Sequence, residues 1–307
     1  MEPVFVAVST TARQLFHLLS FLTTVSFSDI LPAVIFLDVA LFITYKVRRS
    51  NKDPNLQYDE EDENDIPPFE ISLSSLLETL QVLGISDKPP KGSWSTRNGT
   101  STSAFDSHAT VGMTGLCRLS YQAEGDPLCI VLEEAGVTTT CELTTYESSF
   151  DDEIPLQKDA LMQKIIMRSS WLHDAIMELA SSSPTRLTIA SSPQAPYFTL
   201  SSTGPFGSAA VEFSKDPQLL ETFQVSSRSV NTYNYSLIRS ASKAMAAATK
   251  VSLRSDEQGV LSLQFMIETD HEGKSSGIIF VDFRFVPYLD EEEENGTSQQ
   301  TLNDSEL

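Results

Sequence analysis

Residues 236–267 read SLIRSASKAMAAATKVSLRSDEQGVLSLQFMI, and this stretch decides the fold. Its first part predicts an amphipathic helix over Ser236–Ala248, because apolar side chains recur on one face at helical spacing: Leu237, Ala241, Ala244, Met245 and Ala248. Its second part predicts strands at Val251–Arg254 and Val260–Ile267. A helix that leads directly into strands is typical of an α+β domain, in which the helix covers one face of an antiparallel sheet.

The face of this helix opposite to the apolar side chains is basic. At about 100° per residue, Arg239, Lys243 and Lys250 point within about 40° of one another if the helix continues to Lys250. A basic face opposite a packing face suits a helix that approaches phosphate groups, and it is equally typical of an ordinary solvated helix. The residues alone leave both interpretations open.

The same order of elements is predicted twice along the chain. The first half predicts a strand, a helix, two strands, a second helix and three strands, at Pro3–Ser9, Thr10–Phe21, Phe36–Lys46, Phe69–Leu73, Ser74–Leu83, Leu116–Gln122, Leu128–Glu134 and Val137–Thr145. The second half adds, around the helix and strands of residues 236–267, elements at Leu161–Met167, Ser170–Ala180, Arg186–Ala190, Tyr197–Ser201, Ala209–Phe213 and Ile278–Val286. This repetition predicts two similar α+β domains, each with two helices packed on a curved antiparallel sheet.

Composition shifts mark the domain boundaries. Residues 1–145 form the predicted first domain, with flexible insertions at about 47–66 and 85–112, which are polar and lack periodicity. The acidic segment Tyr146–Pro155 is the predicted connector between the domains. Residues 156–288 form the second domain, and residues 289–307 are expected to be a disordered acidic tail.

Charge and cysteine content restrict the function only weakly. The 307 residues have a formal charge of −21, but a DNA contact requires only a local basic surface, so this charge does not exclude DNA. Cys117, Cys129 and Cys141 have no metal-binding spacing and lie in apolar segments with a strand-like pattern, which predicts buried thiols. No metal site and no cofactor are predicted.

Residues 15–45 are apolar enough to suggest a membrane anchor. Asp29 and Asp38 interrupt this segment, and its uncharged runs are shorter than the ~20 residues that a spanning helix needs. We therefore favour a buried strand at Leu31–Tyr45 and keep a membrane-anchored protein as an alternative.

Two further stretches, GLCRLSYQAEGDPLCIVLEEAGVTTTCELTTYE (115–147) and APYFTLSSTGPFGSAAVEF (195–213), resemble the same family as residues 236–267. All three are similar to the Rad-one-type subunits, in their fungal form, of the nine-one-one DNA-damage checkpoint clamp. That family shares the ring-clamp fold of the proliferating cell nuclear antigen. The resemblance implies a non-catalytic nuclear subunit that forms a heterotrimer with two paralogous subunits. It also implies that a clamp loader places the ring on double-stranded DNA, that the ring holds DNA without sequence preference, and that it recruits checkpoint and repair proteins.

The first domain departs from the family pattern. Clamp domains place further strands between the first helix and the strand that here begins near Phe36, but residues 22–36 (LTTVSFSDILPAVIF) are too few for two strands of about 5–6 residues with their turns. Either the first domain is abridged or the gene model omits coding sequence at this point, and we favour the second, because loss of core strands would expose sheet edges and apolar faces.

The resemblance also nominates functional residues. Clamp helices line the DNA channel, so it assigns Lys243, Lys250 and Arg254 to DNA contact, and the helical geometry adds Arg239. The first helix offers Arg13 and His17 four residues apart. Partner proteins are expected at the connector, where the candidate residues are Tyr146, Phe150, Ile154 and Pro155.

The rival function is a 3′–5′ exodeoxyribonuclease, an activity linked to some relatives of this family. A metal-dependent nuclease needs several carboxylates that converge on cations. Here the carboxylates concentrate in the loop-like segments Asp59–Asp65, Asp151–Glu153 and Asp290–Glu294, and no catalytic sequence motif is present. A non-enzymatic role is therefore predicted.

Overall fold

A computed structural model of the chain describes residues 3–9, 12–23, 33–48, 68–84, 116–134, 137–148, 154–269 and 277–289. In the first half it places β1 (Phe5–Ser9), α1 (Ala12–Leu19), β2 (Ala33–Phe36), β3 (Thr44–Val47), β4 (Phe69–Glu70), α2 (Leu73–Gly84), β5 (Leu116–Tyr121), β6 (Leu128–Glu134), β7 (Val137–Leu143) and β8 (Tyr146–Glu147). In the second half it places β9 (Leu161–Arg168), α3 (Ser169–Leu179), β10 (Arg186–Ser191), β11 (Phe198–Gly204), β12 (Gly207–Phe213), β13 (Leu220–Val225), β14 (Ser229–Asn234), α4 (Tyr235–Ser240), α5 (Ser242–Ala247), β15 (Lys250–Asp256), β16 (Leu261–Thr269) and β17 (Gly277–Phe285).

The second half consists of two antiparallel sheets with helices between them. One sheet has the order β13-β9-β15-β16-β17-β2, and the other has the order β12-β11-β10-β14. Helix α3 packs on strands of both sheets, and α5 packs on α3. Side chains from the helices and from the inner faces of both sheets form one large apolar core. The arrangement follows from the strand period of two, which gives each sheet one apolar face.

Strand β15 shows how the sequence chooses these faces. Val251, Leu253 and Ser255 are buried, and Val251 and Leu253 belong to the core that the helices cover. Lys250 and Arg254 alternate with them and therefore point to the opposite face of the sheet. The sheet thus has an inner, helix-covered face and an outer face.

The first half repeats this design on a smaller scale. Its five-stranded sheet has the order β3-β1-β5-β6-β7, which matches β13-β9-β15-β16-β17 strand for strand. Helices α1 and α2 pack together over this sheet, and a second, smaller core includes Leu15, Leu80, Tyr121 and Ile130. Within the described residues, this half has no counterpart of strands β10 and β11, which follow the first helix of the second half.

Strand β2 joins the two halves. It precedes β3 in the chain as β12 precedes β13, yet it pairs antiparallel with β17 of the second half, with Phe36 opposite Phe280. This pairing covers the outer edge of β17. The six-stranded sheet therefore includes a strand from the beginning of the chain.

The prediction of one strand over Phe36–Lys46 is wrong. The segment divides into β2, a 3-10 helix at Val39–Leu41 and β3, and the two strands belong to different sheets. The carboxylate of Asp38 accepts a hydrogen bond from the Ala40 amide at 2.9 Å and so begins the 3-10 turn. A local side-chain hydrogen bond overrides the strand propensity of the flanking apolar residues.

The prediction of one continuous helix to Lys250 is also wrong. The helix is interrupted at Ala241, whose ψ of 2° is not helical, and it ends at Ala247. Lys250 is instead the first residue of β15, where it lies opposite Arg168 of β9 and Met266 of β16. Sheet pairing on both sides of β15 therefore determines the conformation of this residue.

Besides the two-residue strand β8, which falls in the predicted connector, the sequence prediction omitted two strands, β13 and β14. Both are edge strands, in the six-stranded and four-stranded sheet respectively. Their sequences, LETFQV and SVNTYN, are mostly polar or half-exposed, because an edge strand faces solvent along one side. The apolar alternation that identified the central strands is consequently weak in them.

Candidate nucleic-acid interface

Helices α4 and α5 present two cations away from the core. Asn234 caps α4, since its side-chain oxygen accepts hydrogen bonds from the amides of Ser236 and Leu237. The inner side of the helix pair is buried and includes Ile238, Ala241, Ala244 and Met245. Arg239 and Lys243 are exposed on the other side. The break at Ala241 leaves this separation of apolar and basic faces intact.

Lys243 lies beside the end of the first helical segment. Its Nζ donates a hydrogen bond to Thr23 Oγ1 at 3.4 Å. On α1, Arg13 and His17 are exposed, and the imidazole of His17 packs edge-on against Phe21 with ring centroids 5.3 Å apart. Leu18 and Phe21 enter the large core of the second half. The structure therefore brings a helix from each half, both with exposed basic side chains, next to each other.

Lys250 and Arg254 do not extend this helical surface. Lys250 forms an exposed ion pair with Glu221, with Nζ 2.8 Å from Oε1. Arg254 is 17% exposed on the outer face of the sheet, where its Nη2 donates to Ser262 Oγ at 2.9 Å. Because the outer face points away from the helices, the structure separates Arg254 from Arg239 and Lys243.

Arg254 belongs instead to a compact charged cluster on the outer face. Asp282 is almost fully buried and accepts a hydrogen bond from Ser262 Oγ at 2.5 Å. Arg254 and Arg284 approach the same Asp282 oxygen at 3.7 and 3.6 Å. Two guanidinium groups thus surround one carboxylate, and hydrogen bonding to Ser262 stabilises the charge that burial would otherwise penalise.

The outer-face cluster also holds the connector. Arg284 Nη1 donates to the backbone oxygen of Ile154 at 2.6 Å. Three residues later, the amide of Gln157 donates to Asp256 Oδ2 at 3.1 Å, at the end of β15. Pro155 is exposed between these two attachments. The connector therefore leaves a defined position on the outer face of the second half.

The other connector residues fall at its beginning. Tyr146 is 59% exposed in β8, where it pairs with Glu70 of β4. Phe150 lies outside the described residues. Sequence reasoning missed Asp282 and Arg284, although two charges spaced two residues apart in the otherwise apolar strand IIFVDFRFV indicate a polar contact on one face of the sheet.

Two buried tyrosines fix the loops and helices around this surface. The Tyr233 hydroxyl donates to the backbone oxygen of Gly259 at 2.7 Å. Burial, reinforced by the negative charge of Asp256, raises the pKa of Tyr233 well above its ordinary range. Tyr235 donates to the Ile176 backbone oxygen and so ties α4 to α3; burial raises its pKa, and the positive charge of Arg239 opposes that shift.

In the part of the chain that the structure describes, no group of three or more His, Cys, Asp or Glu side chains is arranged to hold a metal ion. The acidic segments Asp59–Asp65, Asp151–Glu153 and Asp290–Glu294 lie outside it. Among the described helices, none combines the length and apolar character required to cross a membrane. None of the three cysteines forms a disulfide; Cys117 is buried, whereas Cys129 and Cys141 are only half-buried, so the prediction of buried thiols is wrong for these two.

Comparison with known proteins identifies similar sequences over most of the chain. A family model described as "Repair protein Rad1/Rec1/Rad17" matches residues 19–267. The DNA damage checkpoint control protein rad1 of Schizosaccharomyces pombe is 34% identical over 265 residues, which cover 85% of this chain and 74% of that protein. The cell cycle checkpoint protein RAD1 of Homo sapiens is 35% identical over 219 residues, with 71% and 68% coverage.

A relative of lower identity is named an exonuclease. The DNA repair exonuclease REC1 of Mycosarcoma maydis is 27% identical over 190 residues, which cover 52% of this chain and 41% of that protein. Among solved structures, the proliferating cellular nuclear antigen of Entamoeba histolytica superposes with a TM-score of 0.61 at 13% identity. The superposition covers 94% of this chain and all of that one. The α+β clamp fold predicted from the sequence is thereby confirmed.

Proposed function

The chain belongs to the Rad1 family of repair proteins, and on this basis we propose that it is a subunit of a checkpoint sliding clamp. In this role it forms part of a closed ring that encircles DNA and recruits damage-signalling and repair proteins. The names of its relatives and its clamp fold support the proposal. The observation on which it depends most is the presence of an unpaired strand edge in each half of the described chain.

Two strand edges favour assembly into a ring. Strand β17 has its outer edge covered by β2, whereas its first-half counterpart β7 has no such neighbour within the described sheets. Val137 at the start of β7 is 65% exposed. Strand β12, the counterpart of β2, likewise forms an edge of its described sheet. An unpaired strand edge is a ready template for pairing with another chain.

The β17–β2 junction provides a template for the contact between subunits. Suppose that β7 of one subunit pairs antiparallel with the strand of the next subunit that corresponds to β12. This contact then repeats the β17–β2 pairing that already exists inside the chain. Such a head-to-tail contact joins two different surfaces, and it closes into a ring when the rotation between subunits allows. We propose two paralogous chains as the neighbours, so that the complex is a heterotrimer.

Assembly can be tested on the β7 edge. The chain mixed with its two paralogues should give a 1:1:1 complex by light scattering, and Val137→Lys should weaken it. Val230→Lys is the matched control, because Val230 is 49% exposed on β14, an edge strand that the proposed contact does not use. A homotrimer, or equal effects of the two variants, would contradict the proposed interface.

The helix surface formed by Arg13, His17, Arg239 and Lys243 is the proposed DNA-facing side. A closed ring remains on DNA by encirclement, so a few contacts to phosphates are sufficient, and such contacts do not read sequence. The loaded ring should stay on circular DNA and dissociate after the circle is cut. Equal retention on cut and uncut DNA would indicate ordinary binding rather than a clamp.

The remaining assignments follow from the same role. We propose a nuclear location, a clamp loader that opens the ring, and docking of partner proteins at the connector residues Tyr146, Phe150, Ile154 and Pro155. We retain the division into residues 1–145, the connector 146–155 and residues 156–288. The hydrogen bonds from Arg284 and to Asp256 support the connector as a positioned docking segment on the outer face.

Exonuclease activity is the second candidate, because one relative is named a DNA repair exonuclease. We propose that this chain is not catalytic, since the relatives with higher identity are named as checkpoint proteins. Purified protein with magnesium or manganese should not degrade labelled DNA ends. Degradation that co-purifies with the chain and disappears when one carboxylate of residues 59–65 is replaced would overturn this assignment.

A further inference from the structure

A groove at one end of the second half is lined by both apolar and charged side chains, and the proposed encirclement of DNA assigns no role to it. Arg168 ends β9 and Lys250 begins β15, and the two residues lie opposite each other in register. Asp256, which holds the connector, is at the other end of β15. The groove and the connector attachment are therefore separated by the length of this strand, roughly 20 Å at about 3.3 Å per residue.

The groove has a volume of about 680 Å³, which is within the usual range of ligand sites. Trp171, Leu219 and Ala248 supply apolar surface, and Arg168, Glu221 and Lys250 supply charges. It opens where α3 begins and where the chain leaves α5, at the limit of the helix layer. A DNA strand that leaves a ring lined by these helices would pass this position.

We propose that this groove binds single-stranded DNA adjacent to the encircled duplex, and the proposal rests on the clamp function for the presence of that DNA. The Arg168 guanidinium lies over the Trp171 ring, 5.2 Å from its centroid, and this cation–π pair offers planar groups on which a base can stack. Every base has a π-face, and base–aromatic stacking contributes to single-strand binding without sequence preference.

Lys250 can supply the phosphate contact. It pairs with Glu221 at 2.8 Å, but both side chains are substantially exposed, at 43% and 56%, so the pair is weak and can exchange. Glu268 also stands beside the rim, where it accepts a hydrogen bond from Thr249 Oγ1 at 3.4 Å. These two carboxylates limit the positive potential. Binding therefore depends more on stacking than on charge, and its salt dependence should be shallow.

The chain contains two tryptophans, and Trp94→Phe leaves Trp171 as the only one. In this background, titration with a 15-nucleotide oligothymidylate should quench the Trp171 fluorescence, whereas a duplex of the same length should not. By anisotropy of the labelled oligonucleotide, Trp171→Ala should weaken binding about 5- to 140-fold, the equivalent of one stacked base. Trp171→Phe should retain most of the affinity, which separates loss of stacking from loss of folding.

Lys250→Ala should weaken binding severalfold, and Lys158→Ala, at the exposed connector end of the sheet, is the matched control and should have no effect. Absence of quenching, or equal quenching by duplex, would overturn the proposal. Quenching by an acidic peptide but not by oligothymidylate would also overturn it and would indicate a protein partner. The assay uses the free chain and linear oligonucleotides, so its failure is distinguishable from failure of encirclement, which retention on circular DNA measures.

Discussion

Replacing Arg284 by alanine should loosen the connector at Ile154 without unfolding the domain. Arg284 is the only residue for which the described structure shows a side-chain hydrogen bond to the Ile154 backbone, at 2.6 Å from Nη1. Asp282, the carboxylate beside it, keeps Ser262 as a hydrogen-bond donor and Arg254 at 3.7 Å in the variant. The substitution thus removes one of the two attachments, leaves the bond from the Gln157 amide to Asp256 in place, and leaves the buried acid compensated.

The size of the effect follows from the chemistry of this bond. A hydrogen bond to a charged group contributes about 1.5–3 kcal/mol, and Arg284 is only 18% exposed, so solvent replaces it poorly. Each 1.4 kcal/mol is a tenfold change in an equilibrium. The Ile154 end of the connector should therefore detach about 12- to 140-fold more often in Arg284→Ala than in the parent chain. Arg284→Lys should fall between them, because lysine keeps the charge but lacks the planar fork.

Hydrogen exchange measured by mass spectrometry can report this opening. The Gln157 amide, which donates to Asp256, should exchange faster in Arg284→Ala, while amides of the central strands β15 and β16 should be unaffected. Arg228→Ala, an exposed arginine in the loop after β13, is the matched control. If exchange at Gln157 does not change, or if β15 and β16 exchange faster to the same extent, Arg284 stabilises the sheet and does not hold the connector.

Two other outcomes are expected. In the assembled ring, joint replacement of Arg239 and Lys243 by alanine should reduce the slope of log affinity for DNA against log salt concentration by up to about 1.8. Arg254→Ala, on the outer face, should leave this slope unchanged. Equal effects of the two variants would show that DNA binds elsewhere. Tyr233→Phe should cost about 1–3 kcal/mol at neutral pH, because the Gly259 carbonyl loses its buried donor. Folding raises the pKa of Tyr233, so the contribution of this side chain to stability is complete below about pH 10 and declines as the pH rises further. The difference in unfolding free energy between wild type and variant, measured by urea denaturation, should therefore shrink above about pH 10. A difference that stays constant would contradict the burial argument.

The elements predicted correctly from the sequence are those in which the spacing of apolar residues coincides with the buried face of the helix or strand. Central strands such as β15 and β16 have one mainly apolar face, and α3 has apolar residues at helical spacing, so these strands and this helix were predicted within one or two residues. The polar edge strands β13 and β14 have no such signal. Lys250 was placed on a helix because helical propensity is local, whereas its partners Arg168 and Met266 are contributed by distant strands.

The candidate site was predictable to a similar degree. The exposure of Arg239 and Lys243 follows from the helical period of the segment and did not depend on the tertiary structure. The environment of Arg254 did depend on it. A period of two places Arg254 on a face of β15, but only the pairing of β15, β16 and β17 brings Ser262 and Asp282 beside it. Long-range register of this kind cannot be derived from one sequence.

The junction between β2 and β17 determines when the protein can finish folding during translation. Phe36 is synthesised roughly 240 residues before Phe280, the residue opposite it in the sheet. At about 5–20 residues per second, the β2 segment waits on the order of 12–50 s for its partner strand to be made. During that interval Ala33 and Ile35 lack the core against which they pack in the finished molecule, so the nascent chain is exposed to aggregation before β17 leaves the ribosome.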